Sequence, residues 1–198
     1  MTTLTADQTV SPEVIEARQA SGLDRRDEVW EGTYVIMPIA NREHQRIATR
    51  LCQILLNSLD YEAGDEVHAG VNVTDIEPPD DWRTNYRIPD VTVYLHGNRA
   101  YQNGGATVGG PDLAVEVVSP GDRSREKLAF YAAVGTRELV VIDREPWSLE
   151  VFRLKGGRLI SAGRGDEITT QVVPAVWRLA VGSERPLSVE CGGRVWPV

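Results

Sequence analysis

Apolar positions recur along the chain at two spacings, and each spacing predicts a different kind of element. From Asn41 or Arg42 onward, Ile47, Ala48, Leu51, Ile54, Leu55 and Leu59 return at three- and four-residue steps, which predicts a helix with one buried face. Val67, Ala69, Val71 and Val73 alternate with His68, Gly70 and Asn72, predicting a half-buried strand over 66–73. The runs PDVTVYL at 89–95, DLAVEVVS at 112–119 and ELVVID at 138–143 predict more fully buried strands. Between the last two, Leu128, Tyr131 and Ala132 form the apolar stripe of a helix from about Arg123 to Val134, with Asp122 as its N-cap and Gly135 as its stop.

Turn chemistry punctuates the remainder. Residues 1–11 are polar and have little to bury, and Ser11-Pro12-Glu13 opens a short helix through about Ala20. Gly32 and Thr33 divide 28–37 into a hairpin, Gly156-Gly157 joins two strands at 148–161, and short strands around Trp177 and Trp196 close the chain. The segment NGGATVGG at 103–110 reads as a flexible connection, because it lacks the Lys-Ser/Thr ending and following helix of a phosphate-binding loop. Over 41–143 the order is therefore helix, strand, strand, strand, helix, strand. That order predicts an α/β (α+β) fold with a mixed sheet covered by helices, extended by C-terminal hairpins.

Length and charge then narrow the picture. The 198 residues are 41% hydrophobic, enough for one core, so the expected organisation is a polar segment and short helix over 1–24 and a single domain over 25–198. Lys and Arg total 21 against 29 Asp and Glu, a formal charge of −8. Such a chain repels nucleic acid unless its cations are gathered locally, and Arg87, Arg123, Arg125 and Lys127 are the candidates for that patch. With only Cys52 and Cys191, no zinc site or disulfide framework is expected. No leader pattern and no run near the ~20 apolar residues of a membrane span occurs, so the expectation is a cytoplasmic protein.

Two charged positions interrupt the buried strands. Asp90 follows Pro89 at a strand start, and Glu116 is flanked by Val115, Val117 and Val118. A carboxylate among such neighbours is costly unless it is paired, hydrogen-bonded or bound to a cation. Glu116 alone is equally well explained by a solvated strand face or an arginine partner. Paired with Asp90 on an adjacent strand, it becomes half of a Mg²⁺ or Mn²⁺ site of one or two carboxylates, able to lower the pKa of bound water and stabilise charge on an attacked phosphate. Lys127, at the start of the following helix, could reach back to Glu116 and neutralise developing charge, or remain a solvated lysine. His44 falls on the buried face of the first long helix, where it could bind phosphate or simply be a core histidine. Its neighbour Glu43 could join the acidic set or only favour the helix dipole.

Together, EVWEGTYVIMP at 28–38, EHQRIATRL at 43–51, PD at 89–90 and VEVVSPGDRSREKLAFYAAVGTRELVVID at 115–143 resemble the Uma-two family of restriction-endonuclease-like proteins, over about residues 25–180. The resemblance implies the PD-(D/E)xK nuclease core, whose helix, three strands, helix, strand order is the one read above. It implies Asp90 and Glu116 as metal ligands, the Val117 carbonyl as a third, and a Mg²⁺-dependent endonuclease acting on DNA, with a homodimer as the expected assembly. The superfamily's lysine two residues after the glutamate is replaced here by Val118, and the family resemblance moves its role to Lys127. Ser119 and Pro120 would turn the chain from strand to helix, with the Ser119 hydroxyl beside Glu116 and Arg87 and Arg123 available for phosphate. The alternative is a nuclease-fold module that binds nucleic acid or a protein partner with little or no catalysis.

Overall fold

The computed structural model describes residues 10–119, 123–180 and 182–198. The polar residues 1–9, Pro120 and the expected cap Asp122 lie outside the described residues. Helix α1 (Pro12–Ser21) starts at Ser11 with proline in its first turn and buries none of its side chains. Strands β1 (Glu28–Trp30) and β2 (Thr33–Val35) form the expected hairpin, closed by Gly32 at φ 81°. Helix α2 (Arg42–Leu56) follows, and its cap Asn41 accepts the His44 amide at 2.9 Å.

The strand expected over 66–73 is two strands, β3 (Glu66–Ala69) and β4 (Val73–Thr74), which pair in different sheets. Gly70, at φ 62°, turns the chain between them. Next come β5 (Tyr86–Arg87) and β6 (Val91–Tyr94), then β7 (Tyr101–Asn103) and β8 (Ala106–Val108). The last two are antiparallel partners with Asn103 opposite Ala106, so the segment expected to be a flexible connection contains a hairpin turned by Gly104-Gly105.

Strand β9 (Leu113–Val117) leads to a 3₁₀ turn over Ser124–Lys127 and helix α3 (Leu128–Ala133), shorter than expected because its first turn is tightened. Strands β10 (Glu138–Arg144), β11 (Trp147–Lys155) and β12 (Arg158–Gly165) complete the central sheet. Then β13 (Glu167–Thr170), β14 (Ala175–Leu179), β15 (Leu187–Cys191) and β16 (Arg194–Pro197) form a separate antiparallel meander.

The central sheet runs β12-β11-β10-β9-β6-β3, and within it only the β9–β10 pair is parallel. Its elements keep the order α2, β3, β6, β9, α3, β10 along the chain, with β4, β5, β7 and β8 inserted between β3 and β9. The insertions join the first hairpin in a second sheet, β2-β1-β5-β4-β8-β7.

Alternation along the central strands decides what covers each face. Leu113, Val115 and Val117 of β9, with Val140 and Ile142 of β10, pack against Ile47, Leu51, Ile54 and Leu55 of α2 and against Trp177 and Val189 of the meander. Full burial of each large aliphatic side chain there contributes roughly 1.5–3 kcal/mol. Ala114, Leu139, Val141 and Phe152 face the other way, onto Phe130 and Tyr131 of α3. Glu116 belongs by alternation to that second face.

Candidate functional site

The β6–β9 register sets up the site. Val91 lies opposite Val115 and Thr92 opposite Ala114, so extending the pairing by one residue puts Asp90 opposite Glu116. Directly opposed residues share a face, with Cβ atoms about 4.5–5.5 Å apart. A backbone bond fixes the arrangement: the Val117 amide donates to Asp90 Oδ2 at 2.8 Å. Asp90 therefore clasps the end of the strand that carries Glu116.

Helix α2 adds His44, buried, with Nε2 3.1 Å from Asp90 Oδ2. The other ring nitrogen, Nδ1, is buried and has no hydrogen-bond partner among the described residues. Asp90 Oδ1 accepts no hydrogen bond among the described residues, and Arg26 Nη1 stands 3.6 Å away. One oxygen of Asp90 is thus committed to the fold while the other faces a half-exposed guanidinium.

Lys127 is 1% exposed although it is a lysine, and Glu116 is 3% exposed. Lys127 Nζ donates to Glu116 Oε1 at 3.1 Å and to Glu28 Oε1 at 2.8 Å. Glu28, buried on β1, also accepts the Ile88 amide at 2.8 Å and, through Oε2, the Trp30 indole at 2.7 Å. Tyr131 of α3 donates its hydroxyl to Glu116 Oε1 at 2.5 Å. Burial, reinforced by the charges of Glu116 and Glu28, pushes the Tyr131 hydroxyl well above its ordinary range, so it stays protonated and acts as a donor. The 3₁₀ geometry of Ser124–Lys127 aims the lysine inward, and Arg125 anchors that turn through Asp143 at 2.7 Å and Glu150 at 3.0 Å.

These side chains line a cleft with a volume of about 40 Å³, bounded by Arg26, Glu28, His44, Asp90, Glu116 and Lys127. That volume holds roughly three waters, or a cation with part of its hydration shell. A wider hollow of about 510 Å³ lies at the opposite end of β9, beside Asp112, and contains none of the candidate residues. Its buried carboxylate is already held by the Leu95 amide, Asn98 and Arg137.

The structure brings together Asp90, Glu116, Lys127, His44, Val117 and Ser119, and separates the rest. The Ser119 hydroxyl lines the cleft and accepts a bond from Arg144 at 2.8 Å. Glu43 lies outside the cleft, where Arg144 holds its carboxylate at 3.0 Å. The patch expected from Arg87, Arg123, Arg125 and Lys127 does not form. Arg87 is 2% exposed, stacked between Trp30 and Phe130 at 4.7 and 4.3 Å from their ring centres. Arg123 pairs with Glu126 and lies over Trp30, and Arg125 and Lys127 are engaged as described above. Arg87 and Lys127 are thus withdrawn from solvent, while Arg123 and Arg125 remain about a third exposed with their charge offset by Glu126, Asp143 and Glu150.

Sequence reasoning missed Glu28, Arg26 and the polar role of Tyr131. Glu28 shares the Trp30 face of an otherwise apolar strand, but three residues are too few for that pattern to single it out. Tyr131 carried no signal, because its ring belongs to the apolar stripe and periodicity does not register a hydroxyl.

Among the described residues no three His, Cys, Asp or Glu side chains converge as a ready-made metal cage. The donors at hand are two neighbouring carboxylates, with Asp90 Oδ1 engaged among the described residues only by the half-exposed Arg26 at 3.6 Å. This fits a hard cation such as Mg²⁺, which uses one or two carboxylates and keeps several waters.

No curated protein matches the sequence. Among solved structures, one described as "a putative nuclease belonging to DUF820" from Anabaena variabilis is similar in fold, with a TM-score of 0.58 and 15% identity over 73% of this chain and 81% of that one. A family model described as "Putative restriction endonuclease" matches residues 15–182, which include every residue of the cleft. The chain therefore belongs to the Uma2 family.

Proposed function

We propose that this protein is a divalent-metal-dependent nuclease that hydrolyses phosphodiester bonds of DNA. The observation that carries the reading is that Asp90, bonded to the Val117 amide, and Glu116 line one cleft, with a fully buried lysine bonded to the second of them. Asp90 and Glu116 would hold Mg²⁺ or Mn²⁺, with the Val117 carbonyl as a third oxygen. When bound, the cation supplies Lewis acidity toward the phosphate and toward water. Lys127, bonded to Glu28 and Glu116, would stand beside the developing negative charge of the reaction. Tyr131 and Lys127 together fix the Glu116 carboxylate, His44 and the Val117 amide fix Asp90, and the small cleft restricts bulk water.

The test is cleavage of duplex and single-stranded DNA with Mg²⁺ or Mn²⁺. Activity in the native protein that falls at least about 100-fold in Asp90→Asn and Glu116→Gln supports the reading. Cleavage unaffected by both substitutions, or no cleavage of any substrate with either metal, overturns it.

One observation favours a second reading, a non-catalytic module of the same fold. Lys127 and Tyr131 already satisfy Glu116 Oε1, so the cleft is stable chemistry without a cation. Calorimetric titration with Mg²⁺ separates the two, because the module has no reason to bind the metal through Asp90 and Glu116.

A further inference from the structure

The outward face of α2 carries a row of arginines. Arg42, Arg46 and Arg50 recur every four residues, about 6 Å apart along the helix axis and within one 80° sector. The buried side chains His44, Ile47, Leu51 and Leu55 occupy the opposite face. Arg42 is exposed and Arg46 and Arg50 are half-buried. None of the three lies within ion-pair distance of a carboxylate among the described residues, whereas Glu43, the helix's only acid, is engaged by Arg144. Elsewhere on the chain most arginines near the core are paired with acids, as at Arg18–Asp27, Arg137–Asp112 and Arg153–Glu138.

The row continues beyond the helix. Arg50 donates to the Pro197 carbonyl at 2.9 Å and lies over the Trp196 ring, which exposed Arg194 also covers, at 5.6 and 3.9 Å from the ring centre. At its other end the row starts at Arg42 in the first turn of α2, the turn whose opposite face carries His44 into the cleft. A positive ridge thus runs along the outer face of α2, from its first turn to the Trp196 platform, on a chain whose formal charge is −8.

We infer that this ridge is the track for the sugar–phosphate backbone of the nucleic acid, leading a strand to the cleft. The inference rests on the nuclease reading for its direction, but the ridge binds independently of cleavage. Charge gathered on one face is what allows an acidic protein to hold a polyanion, and each phosphate neutralised adds about 0.9 to the salt dependence of duplex binding, or about 0.7 for a single strand.

The experiment measures binding of a short fluorescein-labelled DNA by anisotropy across a range of salt, using the Asp90→Asn protein so that cleavage does not intervene. The expected result is that R42Q/R46Q/R50Q lowers the slope of log K against log salt by about 2–3. The charge-matched control R158Q/R164Q/R185Q retains the slope, and the three corresponding Lys variants restore it. Equal loss in ridge and control variants, an unchanged slope in the ridge variant, or binding to anionic phospholipid vesicles in place of DNA overturns the inference. If the native protein cleaves DNA and the ridge variant keeps its slope, the ridge is wrong and the nuclease reading stands. If nothing is cleaved but the ridge sets the slope, the nuclease reading falls and the ridge stands.

Discussion

At the scale of single residues, the question is what holds a lysine inside a protein. Lys127 has no solvent to rely on, and two carboxylates take the place of water. Their occupancies differ. Glu28 is bonded at both oxygens by Lys127, the Ile88 amide and the Trp30 indole, so it holds the lysine and is poorly placed to ligate a metal as well. Glu28→Gln keeps an acceptor for the Ile88 amide and removes the charge. If Glu28 acts through Lys127, kcat falls roughly 10- to 100-fold while KM and Mg²⁺ affinity are retained. The same change adds nothing in a Lys127→Ala background, and steady-state kinetics on the double-mutant cycle checks this. Additive losses, or a loss of Mg²⁺ affinity equal to the loss of rate, would count against it. Lys127→Met leaves both glutamates buried beside one another and should cost about 3–5 kcal/mol of stability, read from urea unfolding at neutral pH. Asp90 and Glu116 were legible from sequence for the same physical reason: a charge in an apolar run requires an explanation. Glu28 obeyed the same rule, but its three-residue strand is too short for periodicity to single it out.

At the scale of elements, the inward aim of Lys127 depends on a 3₁₀ turn where sequence reasoning expected a longer regular helix. The turn is held by Arg125, which bridges Asp143 on β10 and Glu150 on β11. Burial alone would raise the Asp143 carboxyl, but the hydrogen bonds and charge of Arg125 outweigh it and leave Asp143 below its ordinary value of 3.8. A depressed carboxylate contributes stability that is fully present above the unfolded value and lost as pH falls through the folded one. Arg125→Ala should therefore lower stability by about 1 kcal/mol at neutral pH, a modest figure because the pair is partly solvated. The difference from the native protein should close as pH falls below 3.8 through the depressed folded value of Asp143. A difference that persists unchanged at low pH would assign the loss to packing of the arginine stem. Other elements escaped the sequence for related reasons. The hairpin of β7 and β8 hid in glycines that also suit a loop, and β4 and β5 are two residues long, with ladders set by distant partners such as Val73 opposite Thr107. Periodicity reports the face of a long element; it is silent on a two-residue strand whose pairing is chosen by the rest of the fold.

At the scale of the whole molecule, the cleft sits where three parts of the chain meet: the β6–β9 seam of the central sheet, the first turn of α2, and β1 of the second sheet. Arg144 ties two of them together by donating to the Val118 carbonyl and Ser119 at the end of β9 and to Asn41 at the start of α2. A cation held by Asp90 and Glu116 would therefore reinforce the assembly of the fold as well as the chemistry, and linkage converts this into a measurement. A metal that binds the native state alone stabilises it by about 2.7 kcal/mol at 100 times its Kd. For a chain of this size that corresponds to a rise in Tm of roughly 5–10 °C. Thermal unfolding with and without saturating Mg²⁺ should show this rise in the native protein. The rise should vanish in Asp90→Asn and in Glu116→Gln, whatever either substitution does to the metal-free Tm. In R42Q/R46Q/R50Q it should persist, because the arginine ridge lies outside the cleft. A rise of equal size in all four proteins would place the cation elsewhere on this acidic surface. No rise in any of them would leave the opposed carboxylates as structural groups, held by Lys127, Tyr131 and His44 for the sake of the fold.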